Sequence, residues 1–135
     1  MCPENVVYRA GEAVAILDFD YAAPGRPVYD LAQLARMCVP IDTSEDPARF
    51  GRGGLDAFSR LRLVADAYGL APDRHAFFET IEGTIARGGT FVQAKVDAGD
   101  EAFIEMWNTM GGAARFQRRR EWVAANRQRF LDSLG

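Results

Sequence analysis

The chain has 135 residues, of which 48% are apolar and 26% are charged, and its formal net charge is −3. This length suits one domain with a sizeable core, and the composition is that of a globular protein rather than a disordered or fibrous one. No window approaches the ~18 apolar residues of a membrane span, and no signal peptide is apparent, so we expect a cytoplasmic protein with no membrane partner. The acidic balance argues against nucleic acid as the main partner.

The few histidine and cysteine residues, and one basic run, exclude or disfavour several kinds of functional site. His75 is the only histidine, which excludes a metal site built from several histidines, and we expect no catalytic role for it. Cys2 and Cys38 lack the spacing of a metal or redox motif and are expected to be reduced thiols. The basic run 118–120 lies in a helical stretch, where a solvated helix face is a better interpretation than a phosphate-binding patch.

The N-terminal segment predicts a β-hairpin. Residues 5–9 and 13–19 are short, apolar and rich in β-branched side chains, and the spacer between them contains Gly11. Because the run from Val14 to Leu17 is apolar on both faces, this strand should be covered on both sides.

The remainder predicts helices. Pro27 suits a first helical turn, and Pro40 closes that helix. Residues 41–53 are polar and interrupted by proline and glycine, which indicates a surface loop. After this loop, apolar residues recur at helical spacing to the end of the chain. Gly88–Gly89 is a point where a helix bends or divides. The predicted fold class is α+β, mostly α, with one N-terminal β-hairpin followed by four to five helices.

The hairpin also suggests a cation site. A turn at residues 10–12 brings Asn5, which begins the first strand, beside Asp18, which ends the second, and Asp20 follows two residues later on the same side. Amide and carboxylate oxygens are ligands for Mg²⁺, which takes few protein ligands and fills its shell with water and phosphate oxygens. By spacing alone, local hydrogen bonding at the hairpin end is an equally good interpretation.

The stretch "CPENVVYR…VAILDFDYAAPGRPVYDLAQLA" closely resembles the catalytic and metal-binding segment of the aminoglycoside phosphotransferase and choline kinase-like family. The resemblance implies a protein-kinase-like C-lobe, ATP as co-substrate and Mg²⁺ as cofactor. It implies that Asn5, Asp18 and Asp20 hold the metal, and that Asp30, in an Asp-Leu-Ala element, supports the catalytic loop structurally.

The same resemblance predicts what these residues do not contain. The family's catalytic aspartate would precede Met1, so no catalytic residue is assigned, and residues 1–135 would form part of the helical, substrate-binding lobe without the N-lobe. We therefore expect a phosphotransferase chain that is inactive alone. The alternative is a non-catalytic module that self-associates or binds a partner, such as one subunit of a split kinase or a degenerate relative.

Two partner predictions follow. A hairpin and helical lobe without their usual cover would expose apolar surface, so we expect a homodimer, with strand or helix exchange as one form of it, or a separate N-lobe chain. The acceptor cannot be identified from the sequence. Acidic side chains of the helical region could contact a cationic acceptor but are better interpreted as solvent-facing charges: Glu79, Glu82, Asp97, Glu101 and Glu105.

Overall fold

The computed structural model describes residues 3–19, 22–43, 48, 51–70 and 73–135. After a short 3₁₀ turn, two antiparallel strands and six helices follow within these residues. The elements are the 3₁₀ turn Pro3–Asn5, β1 Val6–Arg9, β2 Glu12–Ile16, α1 Pro27–Cys38, α2 Ala57–Tyr68, α3 Arg74–Asp97, α4 Glu101–Met110, α5 Gly112–Ala125 and α6 Arg127–Leu134. The predicted α+β, mostly α, class is confirmed. None of the described helices is long and apolar enough to cross a membrane.

The hairpin forms where the sequence predicts it. Ala10 and Gly11 have φ angles of 51° and 85°, which is the backbone of a two-residue type I′ turn that matches the twist of the flanking strands. The register joins Val6 to Ile16 and Val7 to Ala15, and an irregularity then shifts the pairing so that Tyr8 faces Ala13. The extra residue on β2 bulges the strand and increases its local twist.

The described helices do not cover the hairpin. The side chains of Tyr8, Val14, Ile16 and Leu17 are 64%, 50%, 47% and 56% exposed. The expected cover on both faces of this strand is therefore not supplied by the described residues. A two-stranded hairpin is at best marginally stable in water, so this element contributes little to the stability of the fold.

The core lies between the helices. The middle of α1 packs against α3, α2 packs against α6, and the side chains between them are fully buried. Phe130 is the centre of an aromatic cluster, with ring centroids 4.5 Å from Phe58 and 4.9 Å from Phe78. Such tilted and offset pairs add about 0.5–1.5 kcal/mol each beyond the burial of their area. The largest fully buried apolar residues are Phe77, Phe78, Phe130, Ile41, Leu61, Ile81 and Leu134.

Helix α3 runs without interruption through Gly88 and Gly89. The helix therefore does not divide there, and the predicted bend stays a prediction. These glycines make room for neighbouring side chains. A Cβ at Gly88 would lie 2.0 Å from Nη1 of Arg36, and one at Gly89 would lie 3.3 Å from a ring carbon of Phe116. Glycine lowers the intrinsic stability of the helix at these positions, but it allows α3 to pack closely against α1 and α5.

The C-terminal region is divided twice, so the described residues form six helices where the sequence predicts four to five. Gly111, with a φ of 91°, ends α4 in the left-handed conformation that favours glycine. The next helix ends at Asn126, whose side chain donates to the carbonyl of Trp122 at 2.9 Å. The short α6 then returns towards α2 and inserts Phe130 and Leu134 into the core.

The segment after α1 corrects two predictions. Ile41 and Asp42 are 0% and 7% exposed, so the surface loop predicted for 41–53 begins with a buried segment. Arg119 holds it: its guanidinium group donates to the carbonyls of Ile41 and Arg36, both at 2.9 Å, and lies 3.5 Å from Asp42. Arg115 lies 3.8 Å from the same carboxylate. Within the basic run only Arg118 and Arg120 are exposed, so the solvated-face prediction is wrong for Arg119.

Replacing Arg119 with methionine should destabilise the fold. The substitution keeps the bulk of the side chain but removes two hydrogen bonds and one partner of a buried carboxylate, which typically costs about 3–5 kcal/mol. The free energy of unfolding, measured by urea denaturation, should fall by that amount. Arg118→Met is the matched control on the exposed face of the same helix and should change it by less than about 0.5 kcal/mol. Equal effects of the two substitutions would contradict the role assigned to Arg119.

The N-terminal cap of α2 gives a pH-dependent prediction. Hydrogen bonds from the hydroxyl and backbone N–H of Ser59 lower the pKa of Asp56, whose carboxylate accepts from that N–H at 2.9 Å. A carboxyl group whose pKa is lower in the folded state stabilises the fold above its unfolded pKa, and this contribution is lost as the pH falls through the folded value.

Asp56→Ala should therefore cost about 1 kcal/mol at pH 7, the usual value for a lost cap, and clearly less in acid. Asp56→Asn caps the helix without titrating, so the stability of this variant should be near that of the wild type at pH 7. As the pH falls below about 4, the variant should become more stable than the wild type. Thermal unfolding of the three proteins across pH 2.5 to 7, about the range in which such a carboxyl titrates, measures both effects. A pH-independent cost of Asp56→Ala would show that the charge does not contribute.

Candidate functional site

The open end of the hairpin brings two of the predicted ligands together. The backbone N–H of Leu17 donates to the carbonyl of Asn5 at 2.8 Å, so the strand pairing continues past the end of β2. The side-chain amide of Asn5 then donates to a carboxylate oxygen of Asp18 at 3.0 Å. Thirteen residues apart in sequence, these side chains meet because the two-residue turn fixes the register of the strands.

Asp18 has an uncommon backbone conformation. Its φ angle is 63°, and among the described residues only Ala10 shares a positive φ without being glycine. Aspartate tolerates this left-handed region better than most residues, but the conformation still costs energy and tends to occur at functional sites. Here it directly follows Leu17, the last residue that pairs with the first half of the hairpin.

The donor set suits a hard cation. Asn5 is half-buried and Asp18 is exposed, so an amide oxygen and a carboxylate are available on a solvent-facing edge. Mg²⁺ is bound by one or two carboxylates and retains several waters, and two protein ligands at an open edge fit that pattern. Within the described residues no group of three or more acidic, histidine or cysteine side chains converges, and Asp20, the third predicted ligand, lies outside them.

Asp30 lies in the first turn of α1 and is exposed. A carboxylate at this position interacts favourably with the positive end of the helix dipole. It makes no hydrogen bond or ion pair with other described residues, and its predicted role in supporting a catalytic loop stays a prediction.

The acidic residues of the helical region lie on helix surfaces. Glu79 and Glu82 contact the guanidinium group of Arg127 at 3.5 Å and 3.3 Å, and Asp97 accepts from Gln93 at 2.8 Å. His75 is exposed near the start of α3. These side chains do not converge on one site.

Two shallow grooves occur among the described residues, and neither is apparent from the sequence. One, of about 370 Å³, lies between the start of α1 and α3, and the other, of about 360 Å³, lies between α3, α4 and α5. The first groove has no signal in the sequence, because Arg26 directly precedes α1 whereas Arg87 stands on α3, far along the chain. No local pattern connects them.

Comparison with protein families finds a match for the hairpin segment. The model of the phosphotransferase enzyme family, APH, matches residues 1–64, slightly less than half of the chain. The matched part contains Asn5, Asp18 and Asp30 and extends over the hairpin, α1 and the first two thirds of α2.

The family match confirms the resemblance inferred from the sequence and extends it beyond the first quarter of the chain. It stops within α2, so the helices α3–α6 lie outside it. No curated protein and no solved structure matches the chain. The phosphotransferase origin of the chain thus rests on its N-terminal part, where the Asn5–Asp18 pair is located.

Proposed function

We propose that this chain carries the metal-holding end of the active site of an ATP-dependent small-molecule phosphotransferase, of the aminoglycoside and choline kinase-like type. In this proposal residues 1–135 are part of the helical, substrate-binding lobe, and the protein works in the cytoplasm. The observation that carries the proposal is the 3.0 Å contact between the side chains of Asn5 and Asp18 within the segment matched by the phosphotransferase family.

The two side chains have complementary tasks. Asp18 offers a carboxylate, and Asn5 offers a neutral amide oxygen, so together they bring one negative charge to a divalent cation. Mg²⁺, when bound, neutralises charge on the phosphate oxygens of ATP. The hairpin fixes the distance between the two ligands, and the left-handed backbone at Asp18 keeps its carboxylate at the open edge. Asp20 is the third proposed ligand.

The proposal assigns binding and positioning to these residues, and no proton acceptor. In phosphoryl transfer most of the rate enhancement comes from positioning and charge stabilisation by several elements together. A polypeptide of these 135 residues is therefore expected to bind the metal without measurable turnover of ATP. ATP turnover that disappears in Asp18→Ala would contradict this expectation and would assign catalysis to the chain alone.

Mn²⁺ tests the metal site residue by residue. The paramagnetic ion, added first alone and then with ATP, should broaden the backbone amide signals of residues 4–7 and 16–19 in ¹H–¹⁵N NMR spectra. Asp18→Asn retains the shape of the side chain but removes the charge, and it should weaken binding about tenfold or more.

Glu12→Gln is the matched control, because Glu12 is an exposed carboxylate at the other end of the same strand. This substitution should leave the broadening unchanged. Broadening centred elsewhere, or equal loss in both variants, would show that the hairpin end does not bind the metal.

A second, non-catalytic function is favoured by a separate observation. The exposed side chains of the hairpin form an apolar surface on both strands, and two unpaired strand edges accompany it. We propose that a second copy of the chain covers this surface when no other partner does, as in a self-associating module. Antiparallel pairing of two hairpins would satisfy edge groups and bury these side chains together.

The double substitution Val14→Thr and Ile16→Thr should weaken this association. Threonine keeps the β-branched shape but lowers the apolar area, so the dimer dissociation constant should rise at least about tenfold. Sedimentation equilibrium over a dilution series measures it. Leu63→Gln removes an equally exposed apolar side chain from α2 and should leave the constant unchanged. A wild-type monomer throughout the micromolar range would refute self-association.

A further inference from the structure

The groove between α1 and α3 combines charge with an open, partly apolar surface. Its floor and walls come from Val28 and Tyr29 in the first turn of α1 and from Ala76 and Gly83 on α3. Its volume of about 370 Å³ lies within the range of small-molecule sites. Arg26, which directly precedes α1, and Arg87 on α3 also line it.

Neither arginine is paired with an acidic side chain in the part of the chain that the structure describes. Among the described residues no carboxylate lies within ion-pair distance of Arg26 or Arg87, whereas Arg74, Arg115 and Arg119 each have one. A guanidinium group carries a charge at every physiological pH and presents planar donors that match carboxylate and phosphate oxygens. The two groups therefore offer unused donors at one location.

Arg87 lies against Tyr29 and Gly83. Its guanidinium carbon lies 5.2 Å from the centroid of the Tyr29 ring, and the Tyr29 hydroxyl accepts from Gln33 at 3.0 Å. Stacking of this kind occupies one face of the guanidinium plane and leaves the N–H groups at its edge available. Gly83 leaves the necessary space, because a Cβ there would lie 3.3 Å from Nη1 of Arg87.

The acidic residue in the groove does not cancel this charge. Glu79 also lines the groove, but its carboxylate contacts Arg127 at 3.5 Å, so its charge is shared with a third guanidinium group. The local balance is therefore positive in a chain whose net charge is −3. A cationic ligand is disfavoured at this location, and an anion is favoured.

We propose that this groove binds a small organic anion through a carboxylate or phosphate group held between Arg26 and Arg87. The organic part of the ligand lies against the apolar surface of Val28 and Ala76. This site is separate from the Asn5–Asp18 pair and does not depend on metal binding there.

Titration with inorganic phosphate, and separately with succinate, tests the groove at an ionic strength held constant with sodium chloride. ¹H–¹⁵N NMR spectra should show saturable shifts for the backbone amides of Tyr29, Gly83 and Arg87, with a dissociation constant on the order of 1 mM. Tighter binding of phosphate assigns the site to phosphate esters, and tighter binding of succinate assigns it to carboxylates. Absence of saturable shifts with both probes would overturn the proposal.

Three variants separate a built site from general attraction. Arg87→Gln and Arg26→Gln should each weaken binding about tenfold, whereas Arg118→Gln removes an exposed arginine outside the groove and should have no effect. Gly83→Leu keeps both charges but fills the groove, and it should abolish saturable binding. Circular dichroism checks that each variant is folded.

Equal weakening by Arg118→Gln, or full binding by Gly83→Leu, would show non-specific attraction and refute the site. Asp18→Asn should leave the anion titration unchanged, so failure of the metal site and failure of the groove give different results.

Discussion

The guanidinium group of Arg119 is the contact on which the arrangement of the helices depends. The last carbonyl groups of a helix lack partners within it, and those of α1 are met by arginines: Arg119 binds the carbonyl of Arg36, and Arg52 binds that of Met37. Arg119 also holds the carbonyl of Ile41 and the carboxylate of Asp42. Burial of these charges is costly, and the hydrogen bonds offset that cost. The end of α1 is thereby fixed to α5, and α1 lies firmly along α3.

The helical core and the hairpin differ in stability. The helical core is closed around Phe130 and buries its apolar side chains almost completely, whereas the hairpin exposes most of its own. Local opening of the hairpin therefore costs much less than unfolding of the helices. The contact between Asn5 and Asp18 is held by the hairpin alone, so a surface that covers the strands would also stabilise this contact. The proposed metal binding and the proposed association through the hairpin would be coupled in this way, since each would stabilise the same paired strands.

Local sequence patterns predicted much of this architecture. The features that they did not predict depend on contacts between residues far apart in the chain. Gly11 between two apolar runs marks the hairpin, Pro27 marks the start of α1, and the register that follows places Asn5 beside Asp18. The burial of Asp42 has no such signal, because its partner Arg119 is distant in sequence and stands in a run that resembles a solvated face. Gly88 is a residue type that weakens helices, yet here its missing side chain leaves space for the guanidinium group of Arg36. The groove formed by Arg26 and Arg87 was not predicted either, because these residues are distant in sequence and only the packing of α1 on α3 brings them together.

The proposed metal site and the proposed anion groove have related electrostatic roles. Eight residues separate Asp18 from Arg26, so the two sites lie within about 28 Å of each other, the reach of an extended segment of that length. A divalent cation held at Asp18 would reverse the sign of the charge at the hairpin end, while Arg26 and Arg87 already make the groove positive. Both sites would then attract anions to a chain that is acidic as a whole. Such a field would suit the proposed phosphotransferase, whose donor ATP is anionic.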